Sequence, residues 1–119
     1  MGRKADIAMI ADLKKELERE AEEQNIPILR AAERKLLLDT AAEANPKRIL
    51  EVGTAVGYSA LLLAERLPLA EIDTLEIDAL RNERAVSVMQ AAEFEQRVRC
   101  HLGDAGEVIP ALTGLYDFI

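Results

Sequence analysis

The chain has no tryptophan and only two tyrosines and two phenylalanines among its 119 residues. So few aromatic side chains leave no stacking platform for the bases of a single-stranded nucleic acid. Positive charge is also short: 15 Lys and Arg stand against 22 Asp and Glu, a formal net charge of −7. That balance argues against a phosphate-backbone partner and mildly favours a cationic ligand. The single cysteine, Cys100, excludes an internal disulfide, and one histidine leaves no Cys/His cluster of the zinc-binding kind. No apolar run approaches membrane-spanning length, and the opening MGRKADIAMIADLKKE does not read as a signal peptide, so a cytoplasmic location is expected. The length suits one domain with a modest core.

What is present is a punctuated stretch, ILEVGTAVGYSALLLAERL, at residues 49–67. A short apolar run carries one acid, Glu51, breaks at Gly53, meets Gly57 four residues later and continues as an apolar helical run. Strand, glycine turn and helix in this order present backbone N–H groups to a small ligand at the carboxyl end of a parallel strand. The spacing is G-x-x-x-G, which fits neither the dinucleotide fingerprint nor the phosphate loop. Two glycines four apart also fit an ordinary strand-to-helix turn with no ligand.

Two helices are expected before this stretch. Ile7, Ile10, Leu13 and Leu17 recur at helical spacing, with Lys and Glu on the other face, and Asn25 and Pro27 end the run. A second helix is expected over residues 29–44, with Leu29, Ala32, Leu36 and Thr40 on its apolar side and Pro46 beyond its end. After the glycine turn, EIDTLE reads as a second strand and Asp78 as the cap of the next helix. That helix has a buried stripe of Ala85, Val88, Met89 and Ala92. RVRCHL alternates cleanly and reads as a half-exposed edge strand. AGEVIPAL is a helix that Pro110 limits to a turn or two. Thr113 and Gly114 turn the chain again, and LYDFI begins a fourth strand. Alternating elements with short connections demand a parallel sheet with right-handed crossovers.

Three acids fall at equivalent places: Glu51 near the end of the first strand, Glu76 at the end of the second, Asp104 just after the third. The carboxyl ends of adjacent parallel strands form the ligand crevice of an open sheet. Glu76 follows the glycine turn by roughly twenty residues, the separation expected of an acid that accepts ribose hydroxyls. Asp104 could equally cap its helix, and Glu76 could equally be a solvated strand end. Taken together, the three acids point to a nucleoside-bearing ligand. Cys100 reads as a small core hydrophobe. His101 has no visible acid or nucleophile partner in the sequence.

The segments IPIL, NPKRILEVGTAVGYSALLLAERLP, TLEID and HLGDAGEVIPAL resemble the S-adenosylmethionine-dependent O-methyltransferases of the catechol and caffeoyl-coenzyme A type, bacterial members above all. The resemblance covers the chain from Ile26 onward. It implies a three-layer Rossmann-like α/β half-domain, a parallel sheet in the order 3-2-1-4, with N-terminal helices over residues 1–46 and the cofactor-binding part over 47–119. Gly53 and its neighbours would line the methionine part of S-adenosylmethionine, with Glu51 beside its amine. Tyr58 and Ser59 would contact its carboxylate end. Glu76 would hold the ribose hydroxyls, and Gly103, Asp104 and Ala105 would border the adenine.

The resemblance also implies that the strand beginning YDFI runs on to an aspartate that binds a divalent metal such as magnesium. The 119 residues stop at Ile119, so the metal ligands and acceptor pocket are expected to lie outside them, and this chain alone is expected to bind cofactor weakly or not at all and not to turn over. A homodimer or a completing second half is the expected partner. Two further readings stand beside this one: a self-associating half-domain without cofactor function, and a nicotinamide-dependent enzyme, which the glycine spacing disfavours.

Overall fold

Three parallel strands form the sheet: β1 (Arg48–Val52), β2 (Glu71–Glu76) and β3 (Val98–Leu102), in the order β1-β2-β3. A computed structural model describes residues 6–112 and 114–119. Thr113, half of the turn expected before the last segment, lies outside them. The helices α3 (Tyr58–Arg66) and α4 (Ala79–Ala92) make the two crossovers. Successive right-handed crossovers in one direction put both on the same face. There Ile49, Ile72 and Val98 pack with Leu61, Val88 and Met89 in one hydrophobic cluster.

An outer layer of two helices covers α3 and α4. The first, α1 (Asp6–Gln24), touches both, and α2 (Ala31–Ala44) touches α3. Leu17 of α1 is fully buried, with Ile10, Leu13 and Ala21 along the same stripe. Ile7, expected on that stripe, is 71% exposed, so the seam runs one turn further toward Ala21 instead. Ion pairs flank the seam, Lys14 to Glu65 at 2.9 Å and Glu20 to Arg84 at 2.6 Å.

The start and face of α2 differ from the sequence reading. It begins at Ala31 because the Glu33 carboxylate accepts the Arg30 N–H at 2.9 Å and Arg34 donates to the Leu29 carbonyl at 2.9 Å. Leu29 is thereby left in the linker. Ala32, Leu36 and Thr40 face solvent, while Ala41 is buried and Leu37 and Leu38 pack on the core. Asn45, at φ 47, closes the helix. In α4 the expected Asp78 cap accepts the Arg81 N–H at 3.0 Å, and Ala85, Val88, Met89 and Ala92 are the buried residues. After β3 the short α5 (Ala105–Val108) gives way to a single 3-10 turn, Ile109–Ala111, at Pro110.

The described sheet has β2 between β1 and β3, as the 3-2-1 part of the expected order places it. The segment expected as a fourth strand makes one parallel bridge, Phe118 to Ile49. The Leu50 N–H donates to the Phe118 carbonyl and the Asp117 N–H to that of Arg48, both at 3.0 Å. The Asp117 carboxylate itself accepts the Lys47 and Arg48 N–H groups. Among the described residues no helix is long and apolar enough to cross a membrane.

The second face of the sheet carries a charge in its middle. Asp73, 2% exposed, accepts from Arg99 Nε at 3.0 Å, His101 Nε2 at 2.8 Å, the Tyr116 hydroxyl at 2.8 Å and Arg48 Nη2 at 3.2 Å. His101 therefore does have an acid partner, one strand away. Burial alone raises the Asp73 carboxyl, but the hydrogen bonds from Arg99, His101 and Tyr116 outweigh it and hold it well below the usual carboxylate range. A depressed carboxylate stabilises the fold above its ordinary range, and that contribution is lost on acidification below about pH 4. Asp73→Asn, which leaves two guanidinium groups facing a neutral amide, is expected to cost about 3 kcal/mol in urea denaturation at pH 7. A loss under about 1 kcal/mol, the worth of an exposed pair, would show that the network is ornamental.

Candidate functional site

The glycine turn is hooked to the neighbouring strand. Gly53, at φ 95, and Thr54 both donate their N–H groups to the Leu75 carbonyl, at 2.8 and 2.9 Å. Ala55 follows in the left-handed region at φ 52, and its N–H donates to Glu76 Oε1 at 2.7 Å. Gly57, at φ 91, begins α3. A Cβ there would stand 3.2 Å from the Ala85 Cβ and the Met89 Cε, so this glycine sets how closely α3 approaches α4. At Gly53 a Cβ would meet nothing within 4 Å. The space it would enter is the crevice.

Glu76 is 8% exposed and spans two loops, because its second oxygen accepts the Asp78 N–H at 3.0 Å. A carboxylate oxygen has two lone pairs, so each still has one for a hydroxyl. Beside it lies a cavity of about 190 Å3 bordered by Val52, Gly53, Leu75, Ile77, Gly103, Asp104 and Ala105. On the other side of Gly53 a second cavity of about 260 Å3 is bordered by Thr54, Ala55, Tyr58, Ser59 and the linker residues Pro27, Ile28 and Leu29. The two share Gly53, so together they form a crevice over the carboxyl ends of β1, β2 and β3.

Most of the residues singled out in the sequence meet here. Gly53, Glu76, Gly103, Asp104 and Ala105 border the first cavity, and Ser59 borders the second. Asp104 also caps α5, accepting the Gly106 N–H at 3.0 Å. Tyr58 is placed differently. Its hydroxyl donates to Glu18 of α1 and Arg34 lies 5.8 Å from its ring centre, so the hydroxyl points away from the turn and into the helix layer. Burial first, and the Glu18 carboxylate second, push it up to about 12.

Glu51 sits on the helix-covered face, in the row Glu51, Thr74, Cys100 fixed by strand register. Thr74 donates to its Oε1 at 2.6 Å, and the Thr54 hydroxyl lies 2.6 Å from that of Thr74. Burial raises the Glu51 carboxyl to about 7, against a smaller lowering by Thr74. Burial, and then the charge of Glu51, raise the Cys100 thiol to about 11, which leaves it protonated and unreactive at neutral pH. Thr54, Thr74, the Ala55 N–H and the linker wall are absent from the sequence reading. Only Thr74 had a signal there, as the residue that faces Glu51 once the two parallel strands are aligned. Among the described residues no group of three or more His, Cys, Asp or Glu side chains is set to hold a metal.

Known proteins are similar to this chain in sequence and in fold. Residues 4–118 match the model of a family described as O-methyltransferase. The "Probable O-methyltransferase Rv1703c" of Mycobacterium tuberculosis is 32% identical over 120 residues, covering 92% of this chain and 52% of the relative. A tRNA1(Val) (adenine(37)-N6)-methyltransferase of Flavobacterium johnsoniae is 37% identical over 75 residues, 63% of this chain and 32% of the relative. Among solved structures, the "putative caffeoyl-CoA O-methyltransferase" of Staphylococcus aureus superposes with a TM-score of 0.82 at 28% identity, over 87% of this chain and 50% of that one. The O-methyltransferase of Bacillus cereus, in complex with S-adenosylhomocysteine, gives 0.80 at 25%, over 91% and 52%. The chain belongs to the O-methyltransferase family. It spans about half the length of the Mycobacterium relative and about a third of the Flavobacterium one.

The raised Glu51 carboxyl has a consequence for stability. Between about 4.5, its ordinary value, and about 7, the native state holds this proton more tightly than the unfolded chain does. Stability therefore falls as pH rises through that window. Glu51→Gln is expected to flatten this dependence and to exceed the native sequence at pH 8 by on the order of 2 kcal/mol. Parallel stability curves for the two proteins from pH 5 to 8 would contradict a buried, costly charge at Glu51.

Proposed function

We propose that this chain is the S-adenosylmethionine-binding portion of an O-methyltransferase that moves a methyl group to a hydroxyl of a small acceptor. The observation that carries the reading is the shared position of Gly53 between the two cavities. The open Cβ position of Gly53 leaves a ligand free to lie across the backbone, with Glu76 on one side and Ser59 on the other. In this reading the ribose hydroxyls meet the free lone pairs of Glu76, and the adenine rests against Gly103, Asp104 and Ala105. The methionine end lies by Thr54, Ala55 and Ser59, with its ammonium toward Glu51. Tyr58 supports this wall through Glu18 rather than touching the ligand by its hydroxyl.

A cationic sulfonium ligand suits a crevice with acids at its floor and N–H donors at its side. The cofactor supplies the methyl group, and the residues here hold and orient it. The acceptor and the transfer step belong to the whole protein. The hydroxyl acceptor follows the family match over residues 4–118, whereas the match to the adenine-N6 enzyme is shorter. The net charge of −7 also disfavours an RNA acceptor. Within the whole protein, the Phe118 segment would extend as the fourth strand beside β1, completing the order 3-2-1-4. The self-associating half-domain without cofactor function is less favoured, because it leaves the crevice unexplained. Association as a homodimer is a separate proposal, and a strictly monomeric species in sedimentation equilibrium would contradict it.

Calorimetric titration with S-adenosylhomocysteine and with NAD tests the assignment. Binding of the first alone is expected. Glu76→Ala is expected to weaken it by about 1.5–3 kcal/mol, since it removes a charged acceptor. Affinity that is measurable and indifferent to this substitution would remove Glu76 from the site.

A further inference from the structure

Glu51 lies two residues before the glycine that shapes the crevice, at the end of a short chain of hydroxyls. Thr74, fully buried, donates to Glu51 Oε1 at 2.6 Å, and Thr54, 3% exposed, lies 2.6 Å from Thr74 while bordering the second cavity. A threonine hydroxyl has one hydrogen to give. When Glu51 is ionised, that of Thr74 is committed to the carboxylate, so Thr54 must donate to Thr74. When Glu51 is protonated, its own O–H can donate to Thr74 and Thr74 to Thr54, which frees the Thr54 hydrogen. The charge on Glu51 therefore decides whether Thr54 offers a donor or only lone pairs at the wall of the crevice. Among the described residues the buried side-chain atom without a partner is Asn82 Oδ1. Glu51 Oε2 has no protein partner among them either, and since Glu51 itself borders neither cavity, its link to the crevice runs through Thr74 and Thr54.

We propose that Thr74 and Thr54 are positioning residues that hold Glu51 at the crevice and make ligand binding there proton-linked, the cationic ligand selecting the ionised carboxylate. This rests on the cofactor reading above and adds to it a regulation by pH. Burial places the Glu51 midpoint close to neutrality, so the switch falls within the physiological range. Other charged groups around Glu51 are few. Glu76 shares its face of β2 and is held by the Ala55 and Asp78 N–H groups, and Cys100 on β3 has its thiol raised to about 11. The buried residues of α3 and α4 are apolar apart from Tyr58, whose hydroxyl is turned to Glu18. On the outer side of β1 stands Phe118, with Asp117 bonded to the Lys47 and Arg48 N–H groups at the strand's far end. His101 and Asp73 lie together on the opposite face of the sheet.

Carboxyl carbon-13 NMR of the ligand-free chain, with the Glu51 signal assigned by Glu51→Gln, reads the switch without any ligand. A midpoint near 7 is expected, raised by about one pH unit in Thr74→Val and unchanged in Thr74→Ser, because only valine removes the hydrogen bond to the charged form. Where Thr74→Val does not fold, the native titration and the serine variant carry this arm. Calorimetry then follows S-adenosylhomocysteine from pH 8 to pH 6. Its affinity should fall about tenfold as the ionised fraction falls, and the fall should be absent in Glu51→Gln. A Glu51 midpoint in the ordinary carboxylate range, or one indifferent to Thr74→Val, overturns the positioning role. Binding that is firm but independent of pH overturns the linkage and leaves the cofactor reading standing. Absence of binding at every pH defeats the cofactor reading and the linkage with it, even if the NMR shifts occur.

Discussion

The arrangement depends first on where one carboxylate is held. Glu76 ends the central strand, and its two oxygens take the N–H groups of Ala55 and Asp78, which belong to the loops after β1 and β2. Charge-assisted hydrogen bonds of this kind are stronger than neutral ones. They fix the left-handed Ala55 and, through it, the course of the chain from Gly53 to Gly57. The acid expected to recognise a ligand is therefore also the brace of the loop that makes room for it. A side chain with both duties is hard to replace, which is why a carboxylate rather than any acceptor is needed here.

Buried charge is handled in opposite ways on the two faces of β2. Asp73 is surrounded by donors and is driven further toward its ionised form. Glu51, on the helix-covered face, has a single hydroxyl donor and is driven toward its neutral form. The first is a structural solution, because the charge is satisfied and its partners come from β1, β3 and the segment after the last helix. The second leaves a buried acid with one hydroxyl partner, which is why its neutral form is favoured.

Much of this was legible in the sequence, where local rules and the outcome agree. The stripe of α4, its Asp78 cap, the edge position of β3 and the break at Pro110 each follow from spacing or from one residue's chemistry. The meeting of Glu76 with Gly103 and Asp104 followed from strand order alone. What was not legible depends on contacts between distant elements. The buried side of α2 was misread because its packing on α3 selects Leu37, Leu38 and Ala41, a stripe that the local apolar spacing does not single out. Tyr58 borders the second cavity, but nothing local reveals that its hydroxyl is taken by Glu18 on α1. His101 was left without a partner because Asp73 is an ordinary acid in EIDTLE until the parallel register brings the two strands together.

The central claim is that one ligand lies across Gly53 and touches both cavities. Amide chemical-shift mapping by 15N NMR during titration with S-adenosylhomocysteine addresses it most directly. The account predicts coincident shifts at Gly53, Thr54, Ala55 and Ser59 on one side and at Ile77, Asp104 and Ala105 on the other, with a single binding constant. Shifts confined to one cavity, or centred away from the glycine turn, would contradict it.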